Sequence, residues 1–390
     1  MIDRNDLQDA VDRVLPVLVE EARAVDAEAR FPEAGLKALR DSGLLGLLVP
    51  RDHGGLGGHV GDLVAVAQQL ASGCLSTAMI WAMHCQQSDA LVRFASPGLG
   101  ADLLPRIARG QLYLGSVTTE PGKGGHLLTG GAPLQRASDT LLLEREAPVV
   151  TGGGHADGFL ITMRAAPDAA ESEVTLVYAD RDQLDLVPRK AWDTLGMRGT
   201  QSGGLFLSGA LPITQIVGDV GDFRRIATES MAPVGHLAWS ACWLGTARAA
   251  LAGLVTQVRS PNRPRGIDPR SDLSLERLAR IRMDLELAGG YLHRVQEEVL
   301  ARRSEGASLE GPALQIHLNT LKVAVSELTH RSVDRMVQLA GLGLGYSRDA
   351  PLHLERDLRD LRSAALNYAN DRLLTSIGAL TLMDRGVNLA

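Results

Sequence analysis

Three cysteines in 390 residues are too few for a disulfide framework, and Cys74, Cys85 and Cys242 stand too far apart for any zinc-ligand spacing. They read as small buried hydrophobes. No apolar run reaches the length of a membrane span. The most apolar stretch, Leu237 to Val255, follows His236 and contains Arg248, Gly245 and hydroxyl residues, so it reads as a buried core helix. A basic excess is also missing: net charge is −6 with acidic residues spread along the chain, which excludes a nucleic-acid partner. The first thirty residues are acidic and polar with helical spacing, so no signal peptide is read there and a cytoplasmic location with no membrane partner is expected. Lysine is scarcest of all. Only Lys37, Lys123, Lys190 and Lys322 occur among 40 basic residues, so a local arginine cluster carries little information by itself.

What is present is an ordinary globular balance, 45% hydrophobic and 22% charged. The length exceeds the roughly 250–300 residues at which a single core stops growing, so two or three packed units are expected. Residues 1–110 have helical spacing, with Val11, Val14, Leu15, Leu18 and Val19 on one stripe and Phe31, Leu36, Leu39 and Leu44 beyond it. The four glycines of Gly54–Gly58 make a loop there. From 111 to 218 the texture changes to short apolar runs, at Tyr113–Val117, Thr140–Leu143, Phe159–Met163, Val174–Val177 and Leu205–Leu207, separated by glycine-rich turns. That spacing predicts a small β-sandwich or barrel. Strand–helix alternation is absent, which argues against a doubly wound nucleotide fold, and Gly152–Gly154 lacks the following helix that a phosphate loop needs. From 219 to 390 helical spacing returns in four segments, 222–259, 272–303, 312–340 and 356–385, which predict a four-helix bundle. The expected fold is α+β: N-terminal helical domain, central β domain, C-terminal bundle.

Four local strings in that order resemble the acyl-CoA dehydrogenase superfamily of flavoproteins. They are Leu44–Gly58 (LLGLLVPRDHGGLGG), Thr119–Gly124 (TEPGKG), Leu195–Thr200 (LGMRGT) and Gly345-Tyr346 through Pro351. The resemblance spans nearly the whole chain and implies non-covalent FAD held between the β domain and the bundle of a homotetramer. On it, Val117, Thr119 and Gly124 contact the flavin, and glycines in that loop let backbone N–H groups approach the ring closely. The family's Trp-x-Ser/Thr pair falls at Val149 and Thr151; the tryptophan is gone, and Thr151 remains a candidate for the flavin. Two further sites are built across subunits in the family. An arginine for the pyrophosphate corresponds to Arg263 or Arg265, since guanidinium suits phosphate oxygens. A glycine turn corresponds to Gln338 and Gly341, in a stretch one residue longer than the family's. Asn370 is assigned to the cofactor as well.

The family's reaction removes a proton from Cα of an acyl thioester while Cβ gives hydride to the flavin. The usual base is a Glu before a Gly-Thr pair, downstream of an Arg-Asp pair; after Arg359-Asp360 the matching residue here is Tyr368, and 361–370 contains no carboxylate. The alternative Glu position, on the first bundle helix, is Gly235 beside His236. Three replacements are expected candidates for the catalytic role. His236 and His84 have an ordinary pKa of about 6.5, suited to proton transfer, whereas Tyr368, at about 10, is a better hydrogen-bond donor than base. The resemblance therefore implies an FAD-dependent desaturase of a CoA or carrier-protein thioester with a non-Glu base, with electron-transfer flavoprotein as partner. The alternative is a monooxygenase of the same fold, which takes reduced flavin (FAD or FMN) from a reductase and acts with O2 on an aromatic or amine substrate. A third is a repurposed, non-catalytic flavoprotein.

Overall fold

A computed structural model describes residues 4–122, 126–261, 263 and 267–390. Val11, Val14 and Leu18 face inward from helix α1 (Arg4–Ala27), while Val19, at the margin of the stripe, is exposed. Helix α2 (Glu33–Asp41) is followed by Gly43 in left-handed backbone. In the Gly54–Gly58 loop a Cβ on Gly55 would lie 2.2 Å from the Val49 carbonyl oxygen, so only glycine lets these two backbones meet. Helices α3 (Val60–Gly73), α4 (Leu75–Phe94) and α5 (Pro97–Ala108) complete the N-terminal part. Nearly every side chain of α4 is buried, which places this helix at the centre of the molecule.

Among the described residues eight strands follow: β1 (Leu114–Val117), β2 (Gln135–Ala137), β3 (Thr140–Ala147), β4 (Gly158–Arg164), β5 (Val174–Asp180), β6 (Leu184–Lys190), β7 (Gly204–Pro212) and β8 (Ile216–Val217). They form two four-stranded sheets, ordered β1-β4-β5-β8 and β2-β3-β7-β6, with β1 and β4 parallel and the other pairs antiparallel. Inward residues of β3, β7 and β4 share one core, so the sheets pack face to face. The other face of the first sheet buries Leu160, Leu176 and Tyr178 against α5. Burial on both faces explains the unbroken apolar runs of β4 and β5.

The C-terminal part holds α6 (Phe223–Ile226), a π turn, α7 (Ala232–Arg259), α8 (Asp272–Ser304), α9 (Pro312–Gly341), α10 (Leu354–Arg362) and α11 (Asn370–Thr381). The fourth expected segment, 356–385, is thus not one helix. It breaks between α10 and α11, where Tyr368 adopts φ +50°. Among the described residues no helix is long and apolar enough to cross a membrane, and no group of three or more His, Cys, Asp or Glu side chains could hold a metal ion.

Candidate functional site

The break in the last helix faces a cleft of about 570 Å³ where all three parts of the chain meet. Helix α4 contributes Met79 and Met83, the end of β1 contributes Thr118 and Thr119, and α7 contributes Trp243. The β domain adds Thr151, Trp192, Met197, Thr200 and Ser202; the C-terminal part adds Arg359, Arg362, Leu366, Asn367 and Tyr368. No Asp or Glu is among the described lining residues. A slightly larger groove, about 640 Å³, runs between α3, α7 and α8 past Gln68, Arg248 and His293, and none of the sequence-derived candidates lines it.

Hydroxyls concentrate on the β-domain wall. The Thr119 hydroxyl donates to the Val149 carbonyl at 2.8 Å and accepts the Val149 N–H at 3.2 Å, which ties the segment after β1 to the end of β3. Thr200, Ser202 and Thr151 form a row, with Oγ–Oγ distances of 2.8 and 3.1 Å. The opposite wall is aromatic and aliphatic, and beside it the buried Trp243 Nε1 has no hydrogen-bond partner among the described residues. A mostly apolar space with polar groups along one side suits a flavin ring, and its volume lies within the range of about 300–1,000 Å³ usual for cofactor sites.

Tyr368, Thr119 and Thr151 come together at this cleft. The Tyr368 ring lies 5.1 Å from Trp239 and 6.3 Å from His236, centroid to centroid. Burial pushes its phenol up to about 12, against a hydrogen bond from Thr118. His236 sits behind this wall and is almost wholly enclosed. Its Nδ1 is 3.2 Å from the Leu318 carbonyl oxygen and so carries the proton. Burial, and then the charge of Lys322, push the ring down to about 3. The ordinary imidazole value on which its candidacy rests is not the value it has in this fold.

The remaining candidates lie elsewhere. His84 is a core residue: Nδ1 accepts the Leu114 N–H at 3.1 Å, and Nε2 donates to the Leu45 carbonyl at 2.9 Å. Burial holds it neutral, down to about 4, and both nitrogens are spent, so it is not the expected base. Val117 is buried in β1, with its carbonyl accepting from Thr162. Asn370 turns into the bundle, where Lys322, Ser326 and Glu327 use its amide. Gln338 is exposed and bonded to Asp334, and Gly341 ends α9 in open space; neither lines the chain's own cleft, nor does the exposed Arg263. Gly124 and Arg265 lie outside the described residues.

Sequence reasoning missed Lys322, which is fully buried behind Tyr368. The signal was available, because it is one of only four lysines and interrupts the apolar run Leu321–Val325. It also missed Trp243, hidden in an apolar stretch, and Arg359, whose guanidinium binds the Asp26 carboxylate through two hydrogen bonds of 2.9 and 2.6 Å.

The family model described as acyl-CoA dehydrogenase, N-terminal domain, matches residues 3–111, and the C-terminal domain model matches residues 237–371. Over 366 residues, 90% of this chain and 87% of the relative, the sequence is 26% identical to the amino sugar nitrososynthase DnmZ of Streptomyces peucetius. Among solved structures, FMN-bound TdsC from Paenibacillus sp. A11-2, a dibenzothiophene monooxygenase, superposes with a TM-score of 0.87 at 22% identity, covering 98% of each chain. Butyryl-CoA dehydrogenase from Megasphaera elsdenii gives 0.85 at 20% identity, covering 98% of this chain and 99% of that one.

Proposed function

The chain belongs to the acyl-CoA dehydrogenase superfamily of flavoproteins, and we propose that within it this protein uses reduced flavin and O2 to oxygenate a small molecule, in preference to desaturating an acyl thioester. The observation that carries this reading is the want of a base. The described cleft lining has no carboxylate, Tyr368 is a phenol pushed up to about 12, and His236 behind it is pushed down to about 3. Removing a Cα proton calls for a positioned group whose pKa lies near the working pH. Neither residue is such a group.

When bound, reduced flavin supplies the two electrons that send one atom of O2 into the substrate and the other into water. The chain's own share is positional. Met79, Met83 and Trp243 give an apolar wall that excludes water, the hydroxyls of Thr151 and Ser202 offer hydrogen bonds along the opposite side, and Thr118 steadies the Tyr368 hydroxyl. The substrates in the names of two similar proteins, an amino sugar and dibenzothiophene, carry a nucleophilic nitrogen or sulfur, and we extend that class to this chain. A separate reductase is the expected donor of reduced FMN or FAD. Gln338, Gly341 and Arg263 lie away from the chain's own cleft, so a second copy is needed to bring them to a flavin, in line with the homotetramer expected from the sequence.

The test is product formation from dibenzothiophene or an amino sugar in air, with FMN, NADH and a flavin reductase supplied. Labelled oxygen from O2 should appear in the product. Bleaching of bound flavin by butyryl-CoA without oxygen would instead establish the dehydrogenase.

A further inference from the structure

The segment between α10 and α11, Ser363-Ala-Ala-Leu-Asn-Tyr-Ala369, contains neither glycine nor proline and is rich in good helix formers, so nothing within it explains why the helix stops. Yet Tyr368 takes a left-handed backbone, which costs an L-residue about 1–2 kcal/mol. The explanation lies on another helix. Lys322 of α9, fully buried, donates from Nζ to the Tyr368 carbonyl at 2.9 Å and to Asn370 Oδ1 at 2.8 Å, and its ammonium stands 5.7 Å from the Trp243 ring centroid.

We propose that Lys322 is a positioning residue for the cleft, whose ammonium holds open the interruption between α10 and α11 and thereby sets where Tyr368 and Asn367 stand in the cleft wall. The proposal is independent of which reaction the cleft carries out. A buried cation is costly unless its surroundings hold it, and here neutral groups hold it. Glu327, whose charge favours the ammonium, makes no ion pair with Lys322 and accepts instead from Asn370 Nδ2 at 3.2 Å. The ammonium also sits at the first residue of α11, the end at which the helix dipole disfavours positive charge. An apolar side chain would avoid these costs and would leave the Tyr368 carbonyl free to continue the helix.

The arrangement is sensitive to pH because burial pushes Lys322 down to about 7, with Glu327 acting in the opposite direction. The titratable groups that face it are Glu327 on its own helix, His236 from α7 and Tyr368 from the break. His236, at about 3, and Tyr368, at about 12, keep one charge state across the neutral range. Asp357 and Asp360 on α10, pushed up by burial to about 7 and about 6, titrate in the same range and must be separated by a control.

The experiment is amide hydrogen exchange over residues 363–372 of the purified full-length protein, at about pH 6 and about pH 8.5, corrected for intrinsic rates, in wild type, Lys322→Arg and Lys322→Met. Protection in wild type should fall by about tenfold at the higher pH as the ammonium loses its proton. Lys322→Arg, which stays charged, should be flat, and Lys322→Met should exchange fast at both pH values. Wild-type protection that does not change with pH overturns the proposal, as does a fall in Lys322→Arg equal to that of wild type, which would assign the effect to Asp357 and Asp360. Should the Met variant fail to fold, wild type and Lys322→Arg still decide.

Discussion

A phenol pushed up to about 12 keeps its proton across the neutral range, so Tyr368 takes part in chemistry there as a wall and a hydrogen-bonding hydroxyl. Tyr368→Phe should therefore lower kcat/KM of the oxygen-dependent reaction by no more than about tenfold, the worth of one neutral hydrogen bond. Loss of a true general base costs about 10²–10⁴-fold, so a drop of that size in the same assay would restore Tyr368 as a base. His84 is a matter of stability. Its two ring nitrogens satisfy a buried N–H and a buried carbonyl, and His84→Ala should destabilise the protein by about 1–3 kcal/mol for each group left unpaired. Its folded pKa, down to about 4, lies below the ordinary value of about 6.5. Between these values the unfolded chain takes up a proton that the folded chain does not, so the stabilisation from His84 is lost as pH falls through that window. The gap between wild type and His84→Ala in urea midpoint should accordingly narrow from pH 7 to about pH 4.5. Sequence gives both histidines only their solution pKa, and burial is what lowers it in this fold.

Legibility differed among elements. Long helices and fully buried strands could be read because their periodic apolar residues are the ones the core encloses. β2 and β6 could not, because β2 is wholly exposed and β6 carries Pro188 and little apolar surface. The break before α11 was invisible because its cause, Lys322, lies 46 residues earlier in the chain. Strand β3 holds a comparable surprise: its alternation turns Arg145 inward, between Leu143 and Ala147. Arg145 Nη1 meets Glu120 Oε1 at 2.7 Å, and Glu120 also accepts the N–H groups of Gly131 and Ala132. One half-buried carboxylate thus fastens the Thr119–Gly122 turn to two other segments. Arg145→Met removes one charged hydrogen bond from that carboxylate, and should destabilise by about 1.5–3 kcal/mol in urea titration. Flavin affinity, measured by fluorescence quenching, should fall with it, since the loosened turn carries Thr119.

One junction ties all three parts of the chain together, and the cleft lies against it. Asp26, at the end of α1, receives both terminal nitrogens of Arg359 from α10, while its backbone carbonyl accepts from Arg198 of the β domain at 2.9 Å. Arg359 also donates to the Leu195 carbonyl, and the Met197 N–H donates to Asp360. At Gly196 the β-domain loop comes so close to α10 that a Cβ would lie 2.1 Å from the Arg359 carbonyl oxygen. Leu195, Gly196, Met197 and Arg359 all line the cleft, so docking the domains is what builds the site. Burial alone would raise the Asp26 carboxyl, but hydrogen bonds and charge from Arg359 outweigh it and hold it below its ordinary value. A depressed carboxylate stabilises the fold above its unfolded pKa of about 4, and that stability is lost as pH falls through the folded value. Asp26→Asn should therefore cost about 1.5–3 kcal/mol for each charged hydrogen bond weakened, and the deficit against wild type should shrink toward pH 3. Because both side chains of the pair are largely buried, molar salt should leave most of that deficit in place. Gly196→Ala should weaken flavin binding as strongly with no change of charge, through the steric conflict with α10. If Asp26→Asn lowers the urea midpoint and leaves flavin affinity untouched, the junction supports the fold without shaping the cleft.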